Sequence, residues 1–94
     1  MKSLEVFRFR LYVTGEAPNS VRAQANLNAL CSKYLPERHQ IEVIDLLREP
    51  QRALTDGIIM TPTLVKLAPG VQQRIVGSLS DLPPLLASLG LSSP

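Results

Sequence analysis

Two runs suited to strands, "TLVKL" and "QRIVG", lie either side of "APGV", and the Pro69-Gly70 pair between them decides how they relate. Inside a helix the proline would cost roughly 3 kcal/mol and the glycine about 1 kcal/mol relative to alanine. A continuous helix across residues 64–74 is therefore unfavourable. A turn uses both residues: proline presets φ at the second position, and glycine accepts the positive φ required at the third. The pair predicts a β-hairpin, and a hairpin with one apolar face needs other elements to cover it.

A second proline limits how the hairpin begins. In "IIMTPTLVKL" an apolar run is cut at Pro62 and resumes at once as Thr-Leu-Val. An X-Pro bond is the peptide bond that adopts cis at modest cost, and the residue before proline is pushed toward extended geometry. Thr61-Pro62 thus predicts a sharp bend into a strand that starts near Thr63. Its role is structural, orienting that strand.

The covering elements lie on either side. In "VFRFRLYV", Phe7, Phe9, Leu11 and Val13 alternate with Arg8, Arg10 and Tyr12, the period of a strand. "TGEAPNS" is rich in turn formers, and Asn19 or Ser20 is suited to cap a helix beginning near Val21. Ala23, Leu27, Leu30, Cys31, Tyr34 and Leu35 then share one helical face, up to a stop at Pro36. "QIEVIDLL" supplies a second strand, parallel to the first through a right-handed crossover. "REPQRALTDG" fits a short helix with Pro50 in its first turn and Gly57 as its stop. After the hairpin, which ends at Gly77, "SDLPPLLASLG" offers Asp81 as N-cap, Pro83 and Pro84 in the first turn, Leu82, Leu85, Leu86 and Leu89 at helical spacing, and Gly90 as terminator. The order is βαβαββα: an α/β domain over 1–94, with a four-stranded mixed sheet and three helices.

Ninety-four residues with 45% hydrophobic content suit one compact domain rather than a disordered chain. A net charge of +2, with the basic residues scattered among eight acids, gives no basic tract for a nucleic acid. No apolar run reaches the roughly 20 residues of a membrane span, and no signal-peptide pattern opens the chain; the expected compartment is the cytoplasm.

Candidate chemistry is sparse. Cys31 is the single cysteine, so no internal disulfide forms, and its place on the apolar helix face predicts a buried, inert thiol. His39 has no Cys or His nearby to complete a metal site and is expected on a solvated turn. Asp45, Asp56 and Asp81 are too separated for an acid/base pair, and no glycine-rich phosphate loop occurs. No cofactor or metal is expected, nor an enzyme. Arg8 and Arg10 flank Tyr12 on one face of a strand that should be central and covered. Pairing with Asp45 or Glu42 on the adjacent strand is favoured there, with an anion-accepting groove as the alternative.

Three separated stretches, "LYVTGEAPNSVRA", "VIDLLREPQ" and "TPTLVK", resemble the signatures of the KaiB family of circadian-clock proteins, in the same order and at comparable spacing over most of the chain. The resemblance implies a thioredoxin-like fold with Pro62 at the place of the cis-proline. The junction after the first strand, "TGEAPNS", has no thiol, so disulfide exchange lacks its nucleophile. The N-terminal sensor domain of the clock histidine kinase SasA is similar in fold.

The resemblance also implies binding without chemistry. Family members occupy two folds: a tetrameric ground state, βαββααβ, and a thioredoxin-like monomer that docks on the hexameric ATPase KaiC. The ground state needs helix after Pro62 and a strand near the C-terminus, which Pro69, Gly70 and "SLGLSSP" all disfavour. The expected resting state is therefore the thioredoxin-like one, mainly monomeric, with Pro62, Pro69, Gly70, Gly77, Asp81 and Gly90 determining the fold.

Carried over residue by residue, the KaiC-facing positions are Leu47, Arg48, Pro50, Gln51 and Gly57. The strand edge that recruits a second signalling protein carries Gln40 and Glu42. Clock members tend to carry lysine where this chain has Glu42 and Gly57, and many have an acidic tail beyond the position of Pro94. The resemblance thus supports either a clock adaptor or a diverged paralogue, locked in one fold and serving another signalling or stress-response partner.

Overall fold

A computed structural model describes residues 5–91. The elements are β1 (Phe7–Val13), α1 (Pro18–Tyr34), β2 (His39–Asp45), α2 (Gln51–Thr55), β3 (Thr63–Ala68), β4 (Gln73–Val76) and α3 (Leu82–Ser88). The four strands form one sheet in the order β2-β1-β3-β4. β1 and β2 are parallel, in register from Phe7 opposite His39 to Val13 opposite Asp45. β3 runs antiparallel to β1 and to β4. This is the expected βαβαββα order, with β2 and β4 at the two edges.

The alternation in β1 divides the core. Phe7, Phe9, Leu11 and Val13 pack with Leu64 against Ala23, Leu27, Leu30, Cys31 and Leu35 of the α1 segment and Leu85, Leu86 and Leu89 of the α3 segment. On the other face Tyr12, Ile44, Ile58 and Val65 form a smaller cluster. The face expected to be covered is covered only there: α2 is five residues long with none buried, and Arg8 stands exposed.

Pro62 and Gly70 take the expected conformations, whereas the cis bond before Pro69 was not expected. Thr61-Pro62 is cis, and so is Ala68-Pro69; Gly70 adopts φ +71°. The connection covers residues 69–72, longer than a four-residue turn would need. Lys66 Nζ closes it by donating to Pro69 O at 2.6 Å. Gly77 (φ +121°) and Gly90 (φ +74°) take left-handed conformations after β4 and α3, where L side chains are disfavoured.

Several local expectations need correction. α1 starts at Pro18 rather than Val21, because proline fits the first helical position without losing a needed N–H. Neither Asn19 nor Ser20 caps it; Ser20 is buried in the first turn and its Oγ accepts the Thr14 N–H at 3.1 Å. β2 ends at Asp45, so Leu46 and Leu47 leave the strand, because Asp45 Oδ1 accepts the Leu47 N–H at 2.9 Å and turns the chain. His39 opens β2 instead of sitting on a solvated turn, its Nδ1 donating to Leu35 O at 2.7 Å. Pro50 is the N-cap residue of α2 rather than in its first turn. Asp81 is the N-cap residue of α3 but makes no side-chain cap hydrogen bond, and Leu82 is partly exposed rather than on the buried face.

Candidate partner-binding surfaces

β2 exposes one edge, and its backbone polarity follows from two bonds at its ends. Phe7 N–H donates to Arg38 O at 2.8 Å, and Leu46 N–H donates to Val13 O at 2.9 Å. Ladder bonds alternate with period two, so Gln40, Glu42 and Ile44 direct their backbone groups toward β1. His39, Ile41 and Val43 direct theirs outward, with no strand beyond them among the described residues. The edge therefore offers donors and acceptors to an added strand. Glu42 is paired on this strand: Arg10 Nε donates to Glu42 Oε1 at 3.0 Å, the pairing favoured from sequence. Asp45, the other candidate partner of the strand arginines, lies beside Arg48 instead.

The second surface follows β2 directly. Leu47 (68% exposed), Arg48, Pro50 and Gln51 lie on consecutive turns leading into α2. Asp45 Oδ1 accepts both the Gly15 N–H and the Leu47 N–H at 2.9 Å, fixing this turn against the β1–α1 loop. These two N–H donors, Gly15 first, hold the Asp45 carboxyl below the usual carboxylate range, with Arg48 adding to the effect. Gly15 takes a left-handed φ of +49°, which favours glycine, and a Cβ there would stand 2.8 Å from Leu47 Cδ1, so the exposed leucine would also have to shift. Gly57 lies at the opposite end of α2 (φ +68°), separated from the Pro50 turn by the helix. Gln40 lies five strand residues before Asp45, where that turn begins, about 16 Å along β2 at about 3.3 Å per residue. The candidates form two adjoining surfaces rather than one site.

What holds α2 in place was not legible from the sequence. Tyr12, 1% exposed, donates its hydroxyl to Asp56 Oδ2 at 2.5 Å, and Arg52 Nε donates to the same oxygen at 3.0 Å. The Tyr12 donor first, and Arg52 after it, hold the Asp56 carboxyl below its ordinary range. Burial, and then the Asp56 carboxylate, push the Tyr12 phenol up. Arg74 of β4 donates to Gly57 O and Asp56 O, both at 2.7 Å, clamping the carboxyl end of α2 to the sheet. Asp56, Arg52 and Arg74 are remote from Tyr12 in the chain, and only a strand period placing Tyr12 with Arg10 under the α2 segment hinted at the cluster.

Around Pro62 the geometry offers no thiol chemistry. Thr14 Oγ1 and Thr61 Oγ1 share a hydrogen bond at 2.6 Å at the junction after β1. Cys31 is buried in α1, away from that junction, with burial pushing its thiol up to about 11. Among the described residues no cluster of three or more His, Cys, Asp or Glu is placed to hold a metal, and no helix is long and apolar enough to cross a membrane.

The comparisons with known proteins agree with this geometry. The KaiB domain model matches residues 10–90. The circadian clock oscillator protein KaiB of Thermostichus vulcanus is 41% identical over 87 residues, covering 93% of this chain and 81% of that protein. The solution structure of the N-terminal domain of Synechococcus elongatus SasA superposes with a TM-score of 0.69 at 26% identity, covering 95% of this chain and 83% of that one. Chloroplastic thioredoxin z, at 13% identity, shares the fold alone, with a TM-score of 0.74 over 92% of this chain and 80% of its own. With the thioredoxin-like sheet, the proline bend before β3 and the family match all lying in the same stretch of sequence, the chain belongs to the KaiB family.

Proposed function

We propose that this chain is a single, non-catalytic KaiB-like binding domain, resting mainly as a monomer in the thioredoxin-like arrangement and docking on a KaiC-like hexameric ATPase in circadian-clock signalling. The observation that carries the reading is the seven-residue β2 edge, with no outer strand among the described residues and continuous with the exposed Leu47, Arg48, Pro50 and Gln51. In this reading the turn and α2 meet the ATPase, while Gln40 and Glu42 flank the strand edge that recruits a second signalling protein.

One observation favours a second reading, a diverged paralogue serving a different signalling or stress-response partner. Glu42 is held by Arg10, and Gly57 has a left-handed φ that a lysine would adopt only under strain. Both positions therefore depart structurally from the lysine pattern implied by the clock resemblance.

Co-elution with a purified KaiC hexamer, in ATP and in ADP, separates the two readings. The adaptor reading requires a complex in at least one nucleotide state, weakened by Leu47→Asp and Gln51→Ala. Absence of a complex in both states, with the chain folded, leaves the paralogue. Backbone chemical shifts together with size in solution test the resting state: helix across residues 64–74, or a tetramer, would overturn it.

A further inference from the structure

We propose that the β4 edge is a second strand-addition site, which takes an extended peptide segment carrying an apolar residue and, two positions away, an acidic one. The backbone argument is independent of the β2 edge. Gly77 N–H donates to Pro62 O at 3.0 Å, and the register places Ile75 opposite Leu64 and Gln73 opposite Lys66. In an antiparallel ladder bonded pairs alternate with non-bonded ones, so Ile75 and Gln73 commit their N–H and C=O groups to β3. Arg74 and Val76 point both of theirs away from the sheet, and β4 has no outer neighbour among the described residues. Two donors and two acceptors, spaced by two residues, are the pattern an added strand satisfies.

The side chains of those same two residues specify what the strand carries. Arg74 and Val76 line a hollow of about 250 Å³ with Ile58, Ile59, Met60 and Thr63. Ile59 is 95% exposed, Met60 60% and Val76 54%, so apolar surface lies open directly beside the free edge. An incoming side chain next to Val76 meets this surface and covers it. Arg74 uses Nη1 and Nη2 on the Gly57 and Asp56 carbonyls, and no carboxylate among the described residues pairs with its guanidinium. The residue of the added strand beside Arg74 is therefore favoured as an acid, because its charge is complementary there. The clamp also ties this edge to α2: a strand seated on β4 contacts the residue that holds the end of that helix.

The test uses the whole chain and a blocked heptapeptide of threonines carrying one valine and one glutamate two residues apart. In 15N-resolved NMR titration to millimolar peptide, the expected result is saturable shifts at Arg74, Val76, Ile59 and Met60, with slowed amide exchange at Arg74 and Val76. Replacing the glutamate by lysine weakens binding about fivefold, the upper range for an exposed charge pair. Ile59→Ser, at a position exposed enough to leave folding intact, weakens it too. A peptide N-methylated on the amides that would face β4 no longer binds. The proposal is overturned by shifts confined to the β2 edge, by no shifts at millimolar peptide, or by equal binding of the N-methylated peptide, which would mean adsorption without strand addition. It is overturned equally if β4 signals depend on protein concentration without peptide, since the occupant would then be a second copy of the chain.

Discussion

Tyr12→Phe isolates the interaction that seats α2 on the sheet. The substitution removes one oxygen from a side chain that is 1% exposed and leaves the ring in the Ile44, Ile58 and Val65 cluster. The packing contribution is thus preserved and the hydroxyl is tested alone. That hydroxyl donates to Asp56 Oδ2 at 2.5 Å and accepts only a long contact from Arg10 Nη1, at 3.4 Å. Hydrogen bonds to charged groups contribute about 1.5–3 kcal/mol, and the lower end applies here because Arg52 still pairs with the carboxylate and water reaches it. A loss of about 1.5 kcal/mol corresponds to a fall in Tm of roughly 6–12 °C for a domain of this size. The effect has a pH signature. The folded-state carboxyl of Asp56 is held below its unfolded value, chiefly by the Tyr12 hydroxyl. The stabilisation is therefore present above an unfolded carboxylate value of about 3.9 and is lost as pH falls through the lower folded value. Urea denaturation of both proteins between pH 7 and pH 2.5 should show the largest gap at neutral pH and a shrinking gap below about pH 4. Equal stability at pH 7, or a gap that does not change on acidification, would refute the role assigned to this bond.

Three further outcomes are expected. Ser20→Ala leaves the part-buried Thr14 N–H without its acceptor and should cost about 1 kcal/mol by denaturant midpoint, whereas loss of an ordinary surface residue would not. The Cys31 thiol, buried and pushed up to about 11, should resist alkylation at pH 8 in the folded chain and react fully in urea; rapid labelling of the native protein would contradict its placement. Asp45→Asn should lower stability at neutral pH and have no further effect below the folded carboxyl's own range, since the Gly15 and Leu47 N–H groups depress that pKa and their contribution fades as pH falls through it. A neutral-pH melt identical to wild type would show that the β1–α1 loop does not depend on the charge.

Elements with a strong period or a forced backbone were readable in the sequence. Phe7 to Val13 alternate because β1 is central with an apolar face, and Pro69-Gly70 has few geometries available other than a reversal. Where two local solutions compete, the chain did not disclose the winner. Ser20 suits a cap chemically, but Pro18 three residues earlier of the Val21 start already satisfies the first turn, which frees the serine oxygen for Thr14. Asp45 reads equally as the last residue of a longer strand or as the acceptor that ends it, and the outcome depends on Gly15, thirty residues away.

The binding surfaces were only half legible for a related reason. Exposed residues on one contiguous stretch, such as Leu47 to Gln51, can be found by reading along the chain. The β4 site cannot, because it is assembled from Arg74 and Val76 together with Ile58, Ile59 and Met60, which reach it only through the bend at Pro62. In sequence "IIM" reads only as part of an apolar run cut at Pro62. In the fold Ile58 is buried while Ile59 and Met60 face outward, since the chain leaving α2 must turn toward β3 and cannot bury all three. The same bend that fixes the strand therefore sets two large apolar side chains beside an edge with no outer neighbour among the described residues, and a strand added there would shelter them as it completes the backbone bonds.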